Sequence, residues 1–275
     1  MNYKLVVGLI FLGFAVLELR ADRLLHRAAT RTKDIIIELG SGLGLPIAVV
    51  PAVIAGSGVL TEALAPDSAG ALAHWPTWLM FATLLVIDDL GQYLWHRLTH
   101  AVPSLFELHR AHHSATYMSV RIVYRNNILY YAMMPNLWAS GVLLYLGFDD
   151  VYYVYFIAKM AVIIGAHSSV AWDEPLLKIR WLRPVMWLVV RTISTPSTHA
   201  AHHGKHATDG VTHYKGNYGN FLFLWDVLLG TAKISERRPA HFGLENIDDA
   251  SWQQELLWPW LRARPRLSAK WPWRR

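Results

Sequence analysis

Nine of the 14 histidines in this 275-residue chain fall at spacings that bring imidazoles together. His96 and His100 stand four apart, and His109 is followed by His112 and His113 at three and four. His199 is followed by His202 and His203 in the same way, and His167 stands alone at the end of an apolar run. Residues three or four apart share one face of a helix, so each group can turn its rings toward a common point. Neutral imidazole is a ligand for iron, zinc and copper. A structural zinc takes about four ligands and a catalytic zinc about three. Nine rings exceed both and suit two metals with four or five nitrogens each. Cysteine is absent, which excludes thiolate sites, disulfides and cysteine nucleophiles. The scarcity of carboxylates beside the histidines argues against magnesium and calcium, which want oxygen. His206 and His213 lie off the pattern, and His26, His74 and His241 are read as non-ligating.

Carboxylates supply candidates for holding the ligands. Asp89 precedes His96 by seven residues, two helical turns, and an acid inside an apolar run is costly unless functional or paired. Asp89 is expected to accept the spare N–H of a ligand histidine and so fix its tautomer. Asp88 is the next candidate, Gln92 lies one turn from His96, and Asp226 either does the same work or caps a helix.

The elements that must position these residues are apolar. The chain is 53% hydrophobic and 17% charged, against about 25% charged in a typical soluble domain. Apolar runs cover residues 5–19, 35–60, 78–95, 128–148 and 151–166. A bilayer core takes about 20 apolar residues in a helix. The expected fold is therefore an all-α integral membrane protein, with four to five transmembrane helices and a cytoplasmic helical cap carrying a histidine-rich dimetal site. Residues 5–19 are read as a retained helix rather than a signal peptide, because Arg20, Asp22 and Arg23 follow in place of a small-residue cleavage pattern. Residues 1–77 form the N-terminal membrane helices and outer loop, 78–232 the catalytic core, and 233–275 a cytoplasmic tail rich in Trp and Arg. That tail suits a headgroup layer.

Basic residues set the orientation. Arg20, Arg23, Arg27, Arg31 and Lys33 fall between the first two runs, whereas residues 61–77 carry no Lys or Arg. Positive residues stay on the cytoplasmic side. All the clustered histidines then fall on the cytoplasmic face of a multi-pass protein of the cell membrane. The net charge of +6 is accounted for by the membrane surface, and no nucleic-acid partner is expected.

The pattern resembles the fatty acid hydroxylase/sterol desaturase superfamily of membrane di-iron proteins. Asp89, Tyr93 and Trp95-His96-Arg97-x-x-His100 are similar to its first histidine box, and Leu108-His109-Arg110-Ala111-His112-His113-Ser114 to its second. Arg125 falls where the superfamily has a recurrent arginine, and His167-Ser168 resembles its isolated histidine. Thr195 to Gly204 is close to the last box, and Asn217-Tyr218-Gly219 and Trp225-Asp226-x-x-x-Gly230-Thr231 match the closing motif. Ser169, Lys215 and Gly216 depart from the pattern, as do Tyr117 and Ser119 after the second box. The resemblance implies two iron ions that use O2 to hydroxylate, or desaturate, an unactivated C–H bond of a lipid or sterol-like substrate drawn from the bilayer. It implies an external electron donor, a ferredoxin- or cytochrome-type partner or a reduced pterin. A membrane metal-binding or transport protein, and an inactive lipid-binding relative, are the alternatives.

The orientation is testable directly, because the chain has no native cysteine. A cysteine placed at Asp67 should be labelled by a membrane-impermeant maleimide added outside intact cells. Cysteines at Ser104 or Lys205 should react only after permeabilisation.

Overall fold

The structure, a computed structural model, describes residues 2–25, 30–246 and 249–261. Helix α1 (Tyr3–Arg20) is capped by Asn2, whose side chain accepts the Leu5 N–H. Helix α2 (Thr32–Leu64) runs for 33 residues, roughly 50 Å at the α-helical rise. Pro46 and Pro51 remove two backbone donors along it, and the intervening Leu45–Val49 widens into a π-turn that keeps the axis continuous. Segments Thr77–Leu84, Leu85–Leu90 and Gly91–Ala101 run on as one helix, α3, whose middle is again a π-turn. Helix α4 (Pro103–His113) starts on a proline, whose missing N–H costs nothing at that position.

One apolar run is divided. Residues 128–148, expected as a single helix, form α5 (Ile128–Ala132) and α6 (Pro135–Tyr145). Pro135 disfavours helical backbone at Met134 and cannot donate to the preceding turn. Helix α7 (Asp149–His167) follows, then α8 (Asp173–Lys178), α9 (Arg183–Thr192), α10 (Pro196–His203), α11 (Leu224–Leu228) and α12 (Trp252–Leu257). Among the described residues there is no strand, only the isolated bridges Ile193–Leu222 and Gly204–Phe242. The all-helical class expected from the sequence is what the chain adopts.

The long helices stand side by side with their ends in register. Helices α1 and α7 run parallel: Tyr3 stacks on Tyr153 at 4.5 Å, and Glu18 meets Ser168 and Ser169 at the other end. Helix α6 lies against α2, with Gly141 so near the Ile54 carbonyl that a β-carbon there would sit 2.6 Å from the oxygen. At one end of the bundle the Gly70 and Leu72 N–H groups donate to Tyr145 and Leu146. The opposite end carries His96, His100 and the turn after α7. Every clustered histidine lies there.

Large apolar side chains lie on the outside of the bundle as well as in its core, and a charged pair lies within. Ile47, Val59, Leu64 and Trp78 face outward, while Asp88 and Lys159 are paired in the interior. Asp88 also accepts from Tyr155, Asn136 and Ser140, so the pair ties α3, α6 and α7 together. By length and composition alone, α2 is the helix among the described residues able to cross a membrane.

The interior pair makes the bundle sensitive to one substitution. Lys159→Met strands a buried carboxylate and should cost about 3–5 kcal/mol. Lys159→Met with Asp88→Asn should recover much of that loss. Thermal or denaturant midpoints in detergent are the readout.

Candidate metal centre

Four helices deliver the nine imidazoles. His96 and His100 lie one turn apart near the end of α3, and His109, His112 and His113 close α4. His167 is the last residue of α7, and α10 carries His199, His202 and His203. The start of α10 is fixed by a capping box between Thr195 and Thr198, and Asp173 accepts from the Ser197 N–H and hydroxyl at 2.9 and 2.6 Å.

The rings form two adjoining groups, all buried. One contains His96, His100, His109, His113 and His202, the other His112, His167, His199 and His203, and within each group the ligating nitrogens lie within 4.8 Å of one another. Each three-histidine box is split between the groups. His109 and His113, one turn apart, face the first while His112 faces the second. His199 and His203 face the second while His202 faces the first. The two groups touch through His113 and His203, whose rings stack at 4.4 Å.

The tautomers are set from behind. His96 Nδ1 lies 2.7 Å from the Tyr218 carbonyl, His109 Nδ1 2.8 Å from Asn126 Oδ1, and His202 Nδ1 2.7 Å from the Gly216 carbonyl. In the second group His112 Nδ1 meets the Ile122 carbonyl at 3.1 Å and His167 Nδ1 the Ile163 carbonyl at 2.7 Å. An Nδ1–H that donates to oxygen leaves Nε2 as a bare lone pair in a neutral ring. Burial first, then neighbouring imidazoles, holds His109, His112, His202 and His203 well below the usual imidazole range, so these rings are neutral.

These lone pairs converge. His96 Nε2 lies 3.0 Å from His109 Nε2 and 3.1 Å from His202 Nε2, and His112 Nε2 lies 3.3 Å from His167 Nε2. Two acceptors at that distance repel unless a cation sits between them. Metal–imidazole bonds of about 2.1 Å at right angles put two nitrogens about 3 Å apart. The spacing and chemistry of the donor set therefore fit a metal in each group.

A scaffold of buried charge and backbone fixes the donors. Arg125, fully buried, donates from Nε to the Ala111 carbonyl at 2.6 Å and from Nη2 to Asp34 and Ser114. It thereby clamps the end of α4 to α2. Glu18 accepts from Ser119, Val120, Ser168 and Ser169, which anchors α1 beside His167. Asn217, in the left-handed region at φ 55°, donates to the Thr198 and Lys233 carbonyls. Asp226 accepts from the Tyr218 and Gly219 N–H groups and the Thr231 hydroxyl, although burial pushes its carboxyl up to about 6. The loop carrying the Gly216 and Tyr218 carbonyls is thus held from both sides. A β-carbon at Gly219 would come 2.5 Å from the Leu222 carbonyl, so the turn takes only glycine.

Asp89 requires a correction. It was expected to accept from a ligand histidine, but its carboxylate accepts from the Leu222 N–H at 3.2 Å and the Trp225 indole at 2.8 Å. The π-turn Leu85–Leu90 adds a residue to the helix, and both Asp88 and Asp89 become buried partners of other elements. The oxygens that contact the imidazoles are Asn126 Oδ1 and backbone carbonyls. Spacing rules carry no signal for those, but a signal for Glu18 existed. It is an acid in an apolar run, as Asp89 is. His206 pairs with Glu245 and His213 contacts the Thr231 carbonyl, both outside the two groups. His74 and His241 also lie outside them, and His26 and most of the Trp/Arg-rich tail fall beyond the described residues.

Residues 81–231 match the family model described as fatty acid hydroxylase. The chain belongs to the fatty acid hydroxylase family. Among curated proteins it is 29% identical over 160 residues to ornithine lipid hydroxylase OlsE of Rhizobium tropici, covering 58% of this chain and 43% of that protein. It is 25% identical over 172 residues to alkylglycerol monooxygenase of Xenopus tropicalis, covering 62% of this chain and 33% of the relative. The human alkylglycerol monooxygenase is 25% identical over 169 residues, with 61% and 33% covered. The chain thus spans less than half the length of these relatives. No solved structure is significantly similar. The family match contains all nine grouped histidines and the loop that supplies the Gly216 and Tyr218 carbonyls.

The Asn126 contact gives a selective test of this arrangement. Asn126→Leu removes the acceptor on His109 Nδ1 and should weaken metal binding by about 10- to 100-fold. Asn126→Asp should retain it. Competition with a chelator of known affinity measures the difference, and an unchanged melting temperature of the metal-free protein separates it from unfolding.

Proposed function

We propose that this protein is a membrane di-iron oxygenase that uses O2 to hydroxylate an unactivated C–H bond of a lipid. One observation carries the reading: two adjoining, fully nitrogenous donor groups with five and four imidazoles and no carboxylate ligand. The family is membrane-associated, and the printed activities of the relatives, lipid hydroxylase and monooxygenase, favour hydroxylation over desaturation.

The residues that would hold the irons are His96, His100, His109, His113 and His202 in one group and His112, His167, His199 and His203 in the other. Bound there, a pair of irons would supply the O2-dependent oxidising chemistry that no side chain provides. The chain's own contribution is to fix and shield. Backbone carbonyls and Asn126 hold five rings in one tautomer. Tyr130 stacks on His109 at 4.8 Å, and Tyr218 lies against His96 at 5.7 Å, so aromatic surface rather than water meets the rings. Burial of every ligand keeps bulk water from the reacting face.

The same reading places four or five helices in the membrane of the cell, the histidine end toward the cytoplasm, with residues 78–232 as the catalytic core. Electrons come from a separate ferredoxin- or cytochrome-type donor or from a reduced pterin. The substrate is a bilayer lipid. Closed burial at one end of the bundle does not suit a transport path, which would want ligands along the membrane midplane.

Purified full-length protein should contain two irons per chain and, with a reductant, should transfer one atom of isotopically labelled O2 into a membrane lipid, seen by mass spectrometry. His112→Ala with His203→Ala removes two of the four donors in the second group. Its iron content should fall to about half or less, with loss of turnover. Two irons per chain in that double variant would falsify the ligand assignment.

A further inference from the structure

Helix α9 has its apolar side chains on the wrong side for a helix in water. Met186 and Val190, one turn apart, face the protein interior and are buried. On the opposite face Trp181, just ahead of the helix, Val185 and Leu188 follow at intervals of four and three, where a soluble surface helix carries polar residues. Trp181 is 77% exposed and Leu188 59%. Between the two faces runs a basic flank, Arg183 and Arg191, with the Arg191 guanidinium 4.2 Å over the Trp187 ring.

The exposed face does not end with α9. Helix α11 packs beside it and turns Leu228 outward, with Leu229 exposed just beyond. That segment is tied to α3 by the Asp89–Trp225 bond and by Tyr93 to Thr231 at 2.8 Å. Helix α3 in turn exposes Val86, Leu94 and Leu98. The apolar surface therefore continues from a helix of the membrane bundle, across α11, to α9. At α9 it gains tryptophan and arginine, the side chains that suit the boundary between headgroups and acyl chains.

We propose that α9 and the exposed edge of α11 lie in the surface of the bilayer on the histidine side, with the 181/185/188 face seated at the acyl boundary and Arg183 and Arg191 toward anionic headgroups. This refines the expectation of a cytoplasmic helical cap, and it rests on the membrane reading above. The partner is the lipid bilayer itself. Continuity with α3 argues for it over a second protein, because one plane of lipid meets all three elements. Helix α9 leads directly into α10 through Ser194, whose hydroxyl donates to the Gly219 carbonyl at 2.9 Å. The seated helix therefore adjoins the loop that aligns His96 and His202.

The test uses the full chain, which has no cysteine of its own. Single cysteines at Leu188, at Val59 in α2 and at the exposed Arg237 are labelled with NBD, an environment-sensitive fluorophore. The variants are reconstituted into vesicles of phosphatidylcholine and phosphatidylglycerol, with or without lipid carrying a doxyl quencher high on the acyl chain. The expected result is blue-shifted emission at position 188 that loses most of its intensity to the lipid quencher, with water-like, unquenched emission at 237. Quenching at 59 but not at 188 would overturn the inference and leave the membrane reading standing. Quenching at neither would overturn both. A blue shift at 188 without lipid quenching would mean burial against a second copy, and quenching at 237 as well as 188 would mean that no particular face is seated; either outcome ends the proposal.

Discussion

Convergent lone pairs are the constraint that the rest of this structure answers. Nine imidazoles are buried, and seven of them bring their Nε2 atoms to within 2.9 to 3.3 Å of one another in successive pairs. Without cations that arrangement is repulsive, and a buried polar atom that finds no partner costs roughly 1–3 kcal/mol. His113 Nε2 has no hydrogen-bond partner among the described residues. A protein can hold such a cluster ready for metal only if the surrounding framework is rigid enough to resist rotation of the rings. The buried ionic and hydrogen-bonded scaffold is that framework, and its density around the cluster follows from the energy it must oppose.

Much of this was legible in the residues alone. The HxxxH and HxxHH spacings pointed to histidines that the fold gathers into two groups, because helix periodicity turns sequence intervals directly into shared faces. The division between the metal groups was not legible. His109 and His113 part company with His112 only once the angle of α4 to its neighbours is known, and that angle depends on packing. The orienting acceptors were hidden for a different reason. Backbone carbonyls of Ile122, Ile163, Gly216 and Tyr218 have no side-chain identity to read. Asp89 shows how a correct rule reaches a wrong partner. An acid in an apolar run does need a partner, but a regular helix was assumed where a π-turn occurs, and the partner is Trp225. Pro135 was visible in sequence, and the break it imposes between α5 and α6 follows from its missing N–H.

Charge inside and apolar surface outside solve one problem at two depths. Near the histidines, Arg125 pairs with Asp34 and approaches Glu38 at 3.6 Å, while Glu38 also receives Arg121 at 2.6 Å. Farther along the bundle, Asp88 and Lys159 form a second pair. Removing two charges from water is expensive, and mutual attraction offsets it only when other hydrogen bonds complete the shell. Asp88 has Tyr155, Asn136 and Ser140 for that purpose. On the proposed membrane reading, apolar packing gives helices little reason to choose one another, since lipid tails are as apolar as leucine. Polar contacts of this kind supply the selectivity, which explains why they cluster where α3, α6 and α7 meet.

The π-turn in α3 joins these two depths. In a regular helix consecutive residues point about 100° apart, and Asp88 and Asp89 accordingly meet different partners, Lys159 on α7 and Trp225 on α11. Both lie in the widened turn Leu85–Leu90, and both are buried. Asp88 bonds α6 and α7, and Asp89 bonds Leu222 and Trp225 at the start of α11, the helix that carries Asp226. Asp226 in turn holds the Tyr218 N–H, and the Tyr218 carbonyl holds His96. A chain of named contacts thus runs from an ion pair in the bundle to a ring of the metal centre. It begins and ends on the same helix, so a shift of α3 relative to α7 moves both the imidazole and the carbonyl that orients it. Because both partners of that contact depend on α3, the helix keeps the ring and its acceptor in register.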